Sequence, residues 1–394
     1  MADAQCRTRE GYVCDPAWHA CLIPNTAAIV PRTCGGIGSR DPAWGPVAAR
    51  GRAFDPAAIV ADDGGVVAIA ATHDGGLVTL RGAATAAFAA HGDQVQLARD
   101  GGTLHAVWCS DAQAEVASSR DRGATWSPPV GVRDAADATC ERPAIAVGRG
   151  AVYVAYGGEG WRVRASRDGG RTFAPAVTAL AGRRGALAVG SDGRLHALAL
   201  DGSERGGYGS ADQRVQYAVS SDGGATFTRP RTVSGGDEAL PFYFAIPRLA
   251  VDDKRRWLYA VYVRGGRTGV WDLVVAASKD KGETWKRVRI GDDARCALHL
   301  APALALDATT GQLHVAWYDN RGGGRFAHAV CAPGLASCVQ PGRISDALFA
   351  LPALDPARTG EQAVLLVDER RRTLHALWAQ AGDLAATAAA LPAR

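Results

Sequence analysis

Ser119-Arg-Asp121-Arg-Gly123-Ala-Thr125-Trp126 is the stretch that decides the fold of this chain. Three further copies are Ser166-Arg-Asp168-Gly-Gly170-Arg-Thr172-Phe173, Ser220-Ser-Asp222-Gly-Gly224-Ala-Thr226-Phe227 and Ser278-Lys-Asp280-Lys-Gly282-Glu-Thr284-Trp285. The pattern is that of a tight hairpin. Serine and aspartate side chains bond backbone N–H groups within a turn, and glycine enters the left-handed conformation without a steric clash. The closing aromatic then folds under the loop and anchors it. A calcium loop would need acidic ligands at alternate positions, which these copies lack. Thr72-His73-Asp74-Gly75-Gly76 reads as a degenerate fifth copy.

Short apolar segments recur between the hairpins. They are Leu104-His105-Ala106-Val107-Trp108, Val152-Tyr153-Val154-Ala155-Tyr156, Leu195-His196-Ala197-Leu198, Leu258-Tyr259-Ala260-Val261-Tyr262, Leu313-His314-Val315-Ala316-Trp317 and Leu374-His375-Ala376-Leu377-Trp378. Each is rich in β-formers and bounded by turn residues, so each reads as a buried strand. A second strand precedes most of them by about ten residues, as in Pro143-Ala-Ile-Ala-Val and Pro302-Ala-Leu-Ala-Leu. With a weaker first unit at Pro56-Ala-Ala-Ile-Val, the repeats recur every ~40 to 60 residues, the period of propeller blades. The predicted fold is therefore an all-β propeller of seven blades, with six as the alternative. It spans residues 51–394 behind a cysteine-rich extension over residues 1–50. Histidines 105, 196, 314 and 375 share one strand position with Tyr153 and Tyr259, which marks that position as packing.

The hairpin motif resembles the Asp box, or BNR repeat, of sialidases and many other propellers, from about residue 50 to about residue 380. The resemblance implies that the boxes are structural turns on the rim, away from the ligand. It also implies a site in which arginines bind a carboxylate, an aspartate acts as acid/base, and a tyrosine nucleophile is helped by a glutamate. Loops that enter the innermost strands converge on the propeller axis, and the residues there can fill these roles. The catalytic candidates are Tyr243, Glu141 and Asp55; the ligand-binding candidates are Arg142, Arg183, Arg184, Arg321 and Phe349. Trp317-Tyr-Asp319-Asn-Arg321 is similar to a strand end of sialidase-like propellers. The family's Arg-Ile-Pro near the start of the domain has no counterpart; Ile246-Pro247-Arg248 holds the same residue types in another order.

Composition narrows the function classes. Of 394 residues, 47% are hydrophobic, enough for a substantial core. No apolar run approaches the ~20 residues of a membrane-spanning helix. The net charge is only +4, and no Lys/Arg run with interleaved aromatics points to nucleic acid. Nine cysteines include Cys6, Cys14, Cys21 and Cys34 near the start and Cys109, Cys140, Cys296, Cys331 and Cys338 in the body. None forms a CxxC pair, so they read as disulfide staples, with the odd count leaving one over. An oxidising location, extracellular or periplasmic, is expected. The first residues lack a signal peptide, which fits a mature chain with an added initiator Met.

Three functions follow as expectations. The first is an exported, sialidase-like propeller that binds, and can hydrolyse, a glycan or other small polar ligand in its central funnel. The second is a non-catalytic lectin-like or protein-interaction propeller. The third is an enzyme with a divalent metal cofactor held by His91, His299 and Asp93, since imidazole and carboxylate suit such an ion.

Overall fold

The repeated apolar segments become the second strands of successive four-stranded antiparallel sheets, and seven such sheets close a ring. The computed structural model describes residues 13–15, 20–22, 43–89, 91–110, 113–132, 140–158, 160–201, 214–235, 245–265, 271–290, 299–319, 325–339, 342–346, 362–380 and 382–393. The first strands of blades 1 to 7 are Phe54–Val60, Asp93–Asp100, Glu141–Gly148, Arg184–Val189, Arg248–Asp252, His299–Leu306 and Val364–Asp368. Each of these touches its counterpart in the next blade, so together they line the axis. The chain closes the ring with strands from its two ends: Ala48–Ala49 pairs with Ala385–Ala386 as the fourth strand of blade 7. Trp44 reinforces this closure, bridging to Ala389 and lying edge-on to His328 at 5.2 Å.

The four Asp boxes join the third and fourth strands of blades 2 to 5 and form one repeated hydrogen-bond set. The Ser hydroxyl donates to the Asp carboxylate at 2.7–2.8 Å and accepts the Gly N–H at 2.7–2.8 Å. The same carboxylate accepts the Thr N–H at 2.8–3.0 Å and the Thr hydroxyl at 2.5–2.6 Å. The Thr226 hydroxyl and amide hold the Asp222 carboxyl down at about 2, and the equivalent bonds depress Asp121 and Asp168. Each box docks on the blade before it. A Cβ on Gly282 (φ +92°) would lie 2.2 Å from the ring of Tyr217, so only glycine permits that approach.

Blade 6 has no Asp box, and a disulfide stands in its place. Cys331 pairs in register with Leu313, as the box residues Ser119, Ser166, Ser220 and Ser278 pair with Leu104, Val152, Leu195 and Leu258, the first residues of the repeated apolar segments. Cys338 follows seven residues later and closes the hairpin through the Cys331–Cys338 bond. The Gly334 N–H in this loop donates to the Tyr259 hydroxyl of blade 5 at 2.9 Å, the contact that a box makes elsewhere. The expected fifth copy at Thr72–Gly76 is different. It connects the second and third strands of blade 1, at the opposite end from the true boxes, and forms a local turn in which the Gly76 N–H donates to Thr72 Oγ1 at 3.1 Å. Its residue types match, but strand order places it on the wrong face.

The histidines at the shared strand position are packed between blades. His196 Nδ1 lies 2.7 Å from the Tyr217 hydroxyl, and His314 stacks on His328 with 3.2 Å between ring nitrogens. Burial lowers His196 and His314 to about 4 and His328 to about 3.

Two predictions follow from these contacts. Ser220→Ala strands the buried Gly224 N–H and is expected to cost about 1–3 kcal/mol in urea unfolding. The unfolded chain protonates its histidines below about pH 6.5 while the folded chain keeps these three neutral. Stability should therefore fall as the pH drops from about 6.5 towards 4, and a His314→Asn, His328→Asn variant should show a shallower fall in unfolding curves taken across that range.

Candidate functional site

Four first strands carry a β-bulge at the end where they enter the axis. The register shifts lie between Phe54 and Ala57, Asp93 and Gln96, Glu141 and Ala144, and Leu300 and Ala303. The residues inside them take left-handed φ: Asp55 +48°, Gln94 +58°, Arg142 +44° and Ala301 +47°. Such angles cost non-glycine residues about 1–3 kcal/mol each, and persist only where the surroundings enforce them. Proline follows three of the four, as Pro56, Pro143 and Pro302. It has no N–H for a ladder, and a bulge is where a strand tolerates that loss. In blades 1 to 3 the bulge turns a polar side chain, Asp55, Gln94 or Arg142, inward.

Every blade contributes to the polar cluster that results. Arg142 Nη1 donates to Asp55 Oδ2 at 3.0 Å, and the two side chains are only 9% and 5% exposed. Asp55 Oδ1 accepts the Gln362 N–H at 3.0 Å, while Gln362 Nε2 donates to the carbonyls of Asp55 and Val95 at 3.0 and 3.1 Å. Gln96 Nε2 donates to Gln362 Oε1 at 2.6 Å, and Gln94 Oε1 accepts the Arg142 N–H at 2.6 Å. From blade 5, Arg248 donates through Nε to the Pro302 carbonyl of blade 6 at 3.2 Å. Arg184 of blade 4 pairs with Glu141 of blade 3 at 2.7 Å. The Cys109–Cys140 disulfide secures this rim, joining blade 2 to the residue just before Glu141.

The charges do not balance. Asp55 answers Arg142 and Glu141 answers Arg184, while Arg248 forms no ion pair among the described residues. Burial lowers its pKa to about 10, the Arg142 charge adds to that, and Asp55 offsets part of it. Arg248 therefore remains a cation at neutral pH.

The structure thus brings Asp55, Glu141, Arg142 and Arg184 together around the axis. Arg183 sits beside them, partly buried, with its N–H bonded to the Leu200 carbonyl at 3.2 Å. Tyr243, Arg321 and Phe349 lie outside the described residues. His299 is fully buried, with Nε2 3.0 Å from Asp319, whereas His91 and Asp93 are exposed. Among the described residues, no three His, Cys, Asp or Glu side chains gather as a metal site. Gln94, Gln96, Arg248 and Gln362 are site residues that the sequence did not single out. Pro247 precedes Arg248 and its strand, whereas Pro56 and Pro143 follow Asp55 and Arg142 within theirs, so no shared proline position marked Arg248.

No family model matches the chain, and no curated relative does. Solved structures do. A protein of unknown function from Dyadobacter fermentans is 13% identical, with 91% of this chain and 97% of that one covered and a TM-score of 0.53. YCF48 bound to D1 peptide is 12% identical, with 91% and 98% covered and a TM-score of 0.55. A Hadza microbial sialidase is 15% identical, with 84% and 74% covered and a TM-score of 0.48. The chain is a seven-bladed propeller. At these identities the likeness extends to the fold and no further.

Removing one partner of the axial ion pair should leave an uncompensated buried charge. Arg142→Met is expected to cost about 3–5 kcal/mol in urea unfolding, and Asp55→Asn added to it should recover part of that loss.

Proposed function

We propose that this chain is an exported binding propeller that holds the anionic group of a polar ligand, a sugar carboxylate first among them, in its axial funnel. The observation that carries this reading is Arg248, a partly buried cation that the two ion pairs beside it leave without a carboxylate among the described residues. An arginine fork suits a carboxylate because it can donate two parallel bonds. A ligand carboxylate would supply the charge that the cluster lacks.

The same geometry favours binding over hydrolysis. A general acid must be able to gain and lose a proton at the scissile bond. The Asp55 carboxylate is bonded to Arg142 and to the Gln362 N–H, and Glu141 is bonded to Arg184. Both carboxylates are engaged in holding the cluster together. A protein-interaction propeller is the second reading, favoured by the fold likeness to YCF48 in complex with D1 peptide. In that case an acidic peptide takes the place of the sugar acid.

Calorimetric titration with sialic acid and glucuronic acid tests the proposal. Saturable binding that Arg248→Gln weakens by about tenfold or more is expected, without release of nitrophenol from nitrophenyl glycosides. Turnover that disappears in Asp55→Asn or Glu141→Gln would establish a hydrolase. Binding of acidic peptides but of neither sugar acid would establish the second reading.

A further inference from the structure

Two arginines stand together on blade 6 with only one exposed carboxylate, that of Asp346, near them among the described residues. Arg264 and Arg289 of blade 5 both meet Asp272, as Arg142 and Arg184 meet Asp55 and Glu141. Arg325 begins the third strand of blade 6 and forms neither an ion pair nor a hydrogen bond among the described residues. Its cross-strand neighbour is Asp319, but that carboxylate faces His299 Nε2 at 3.0 Å and accepts Trp317 Nε1 at 3.2 Å.

Arg343 stands beside it. It pairs in register with Ala327, which places Arg343 diagonally across from Arg325 on the same face of the sheet. Arg343 Nη2 reaches only Asp346, at 3.3 Å, whose side chain is 65% exposed. Arg325 Nη1 and Arg343 Nε are enclosed and donate to no acceptor. Burial makes the charged form of Arg325 costlier, and the Arg343 charge adds to that cost, with Asp346 offsetting part of it. Phe326 stacks on Trp378 of blade 7 at 4.9 Å, so by strand alternation Arg325 and Ala327 face blade 5.

Two like charges, partly buried on adjacent strands, destabilise each other unless an anion lies between them. A carboxylate has two oxygens, and a single guanidinium fork can occupy both. Two forks from separate strands are better matched by a tetrahedral group with more oxygens and a double charge. We propose that the cleft between blades 5 and 6 is an oxyanion site in which Arg325 and Arg343 together hold a sulfate or phosphate group. The third strand lies two strand spacings, about 10 Å, out from the first strand that lines the axis, so this site is separate from the funnel.

Calorimetric titration of the full chain with inorganic sulfate and with inorganic phosphate, at constant ionic strength, provides the test. The Arg248→Gln background removes the axial cation as a competing site. One equivalent per chain is expected, with affinity reduced about tenfold or more by Arg325→Gln or by Arg343→Gln. Arg325→Lys, which keeps the charge without the fork, should restore only part of it. In sulfate-free buffer, Arg325→Gln should unfold at a temperature equal to or above that of the parent, because it relieves repulsion. Absence of saturable binding, unchanged isotherms in the variants, or a loss of stability in Arg325→Gln would each overturn the proposal. Tighter binding of sulfate points to a sulfate ester as the natural source, and tighter binding of phosphate to a phosphate ester.

Discussion

The carboxylate of Asp55 is the tie on which the axis depends. In a ring of seven sheets the first strands converge from all sides, and their polar ends must be satisfied where little water can reach them. Asp55 meets that demand with one oxygen on Arg142 of blade 3 and the other on the N–H of Gln362, which leads into blade 7. Gln362 extends the tie to blade 2 through the Val95 carbonyl and Gln96. A left-handed backbone angle at Asp55 and Arg142 is the local cost of aiming both side chains inward. The same bulges make the axis a candidate site, because they gather groups from blades far apart in sequence.

The periphery solves a different problem with more than one chemistry. A hairpin between the third and fourth strands must stay closed and dock on the previous blade. Blades 2 to 5 achieve this with a serine, an aspartate and a threonine locked in one hydrogen-bond set. Blade 6 achieves it with a disulfide at the same register, and its loop keeps the contact to blade 5 through Gly334 and Tyr259. What is held constant is the geometry of the turn, not its residues. At the same ends of the strands, in the turns between first and second strands, Arg372 bonds Asp307 at 2.6 Å and Arg255 bonds the Thr310 carbonyl at 2.9 Å, linking blades 5 to 7. The ring is thus tied by these contacts at one face, by the axial cluster at the other, and through its core.

Much of this was legible before any coordinates. Hairpin chemistry is local: Ser220, Asp222, Gly224 and Thr226 bond one another within seven residues, so the motif announces the turn. The period of the strands then announces the ring. Thr72–Gly76 shows the limit of that reading, because composition alone cannot tell which pair of strands a turn connects. The disulfide hairpin of blade 6 was hidden for the opposite reason, since it shares a position with the boxes but not their Ser-x-Asp-x-Gly-x-Thr spacing.

The sequence by itself determined the repeating sheets and the Asp-box turns, because those rest on contacts between near neighbours in the chain. The choice of seven blades over six came from the ring itself. It also pointed to Asp55, Glu141, Arg142 and Arg184 as residues entering the axis. Only the tertiary structure decided that Asp55 takes Arg142 and Gln362 as partners, 87 and 307 residues away, and that Arg248 meets no carboxylate among the described residues. Ring closure sets those distances, and no local pattern encodes which strand ends will meet when the circle is complete.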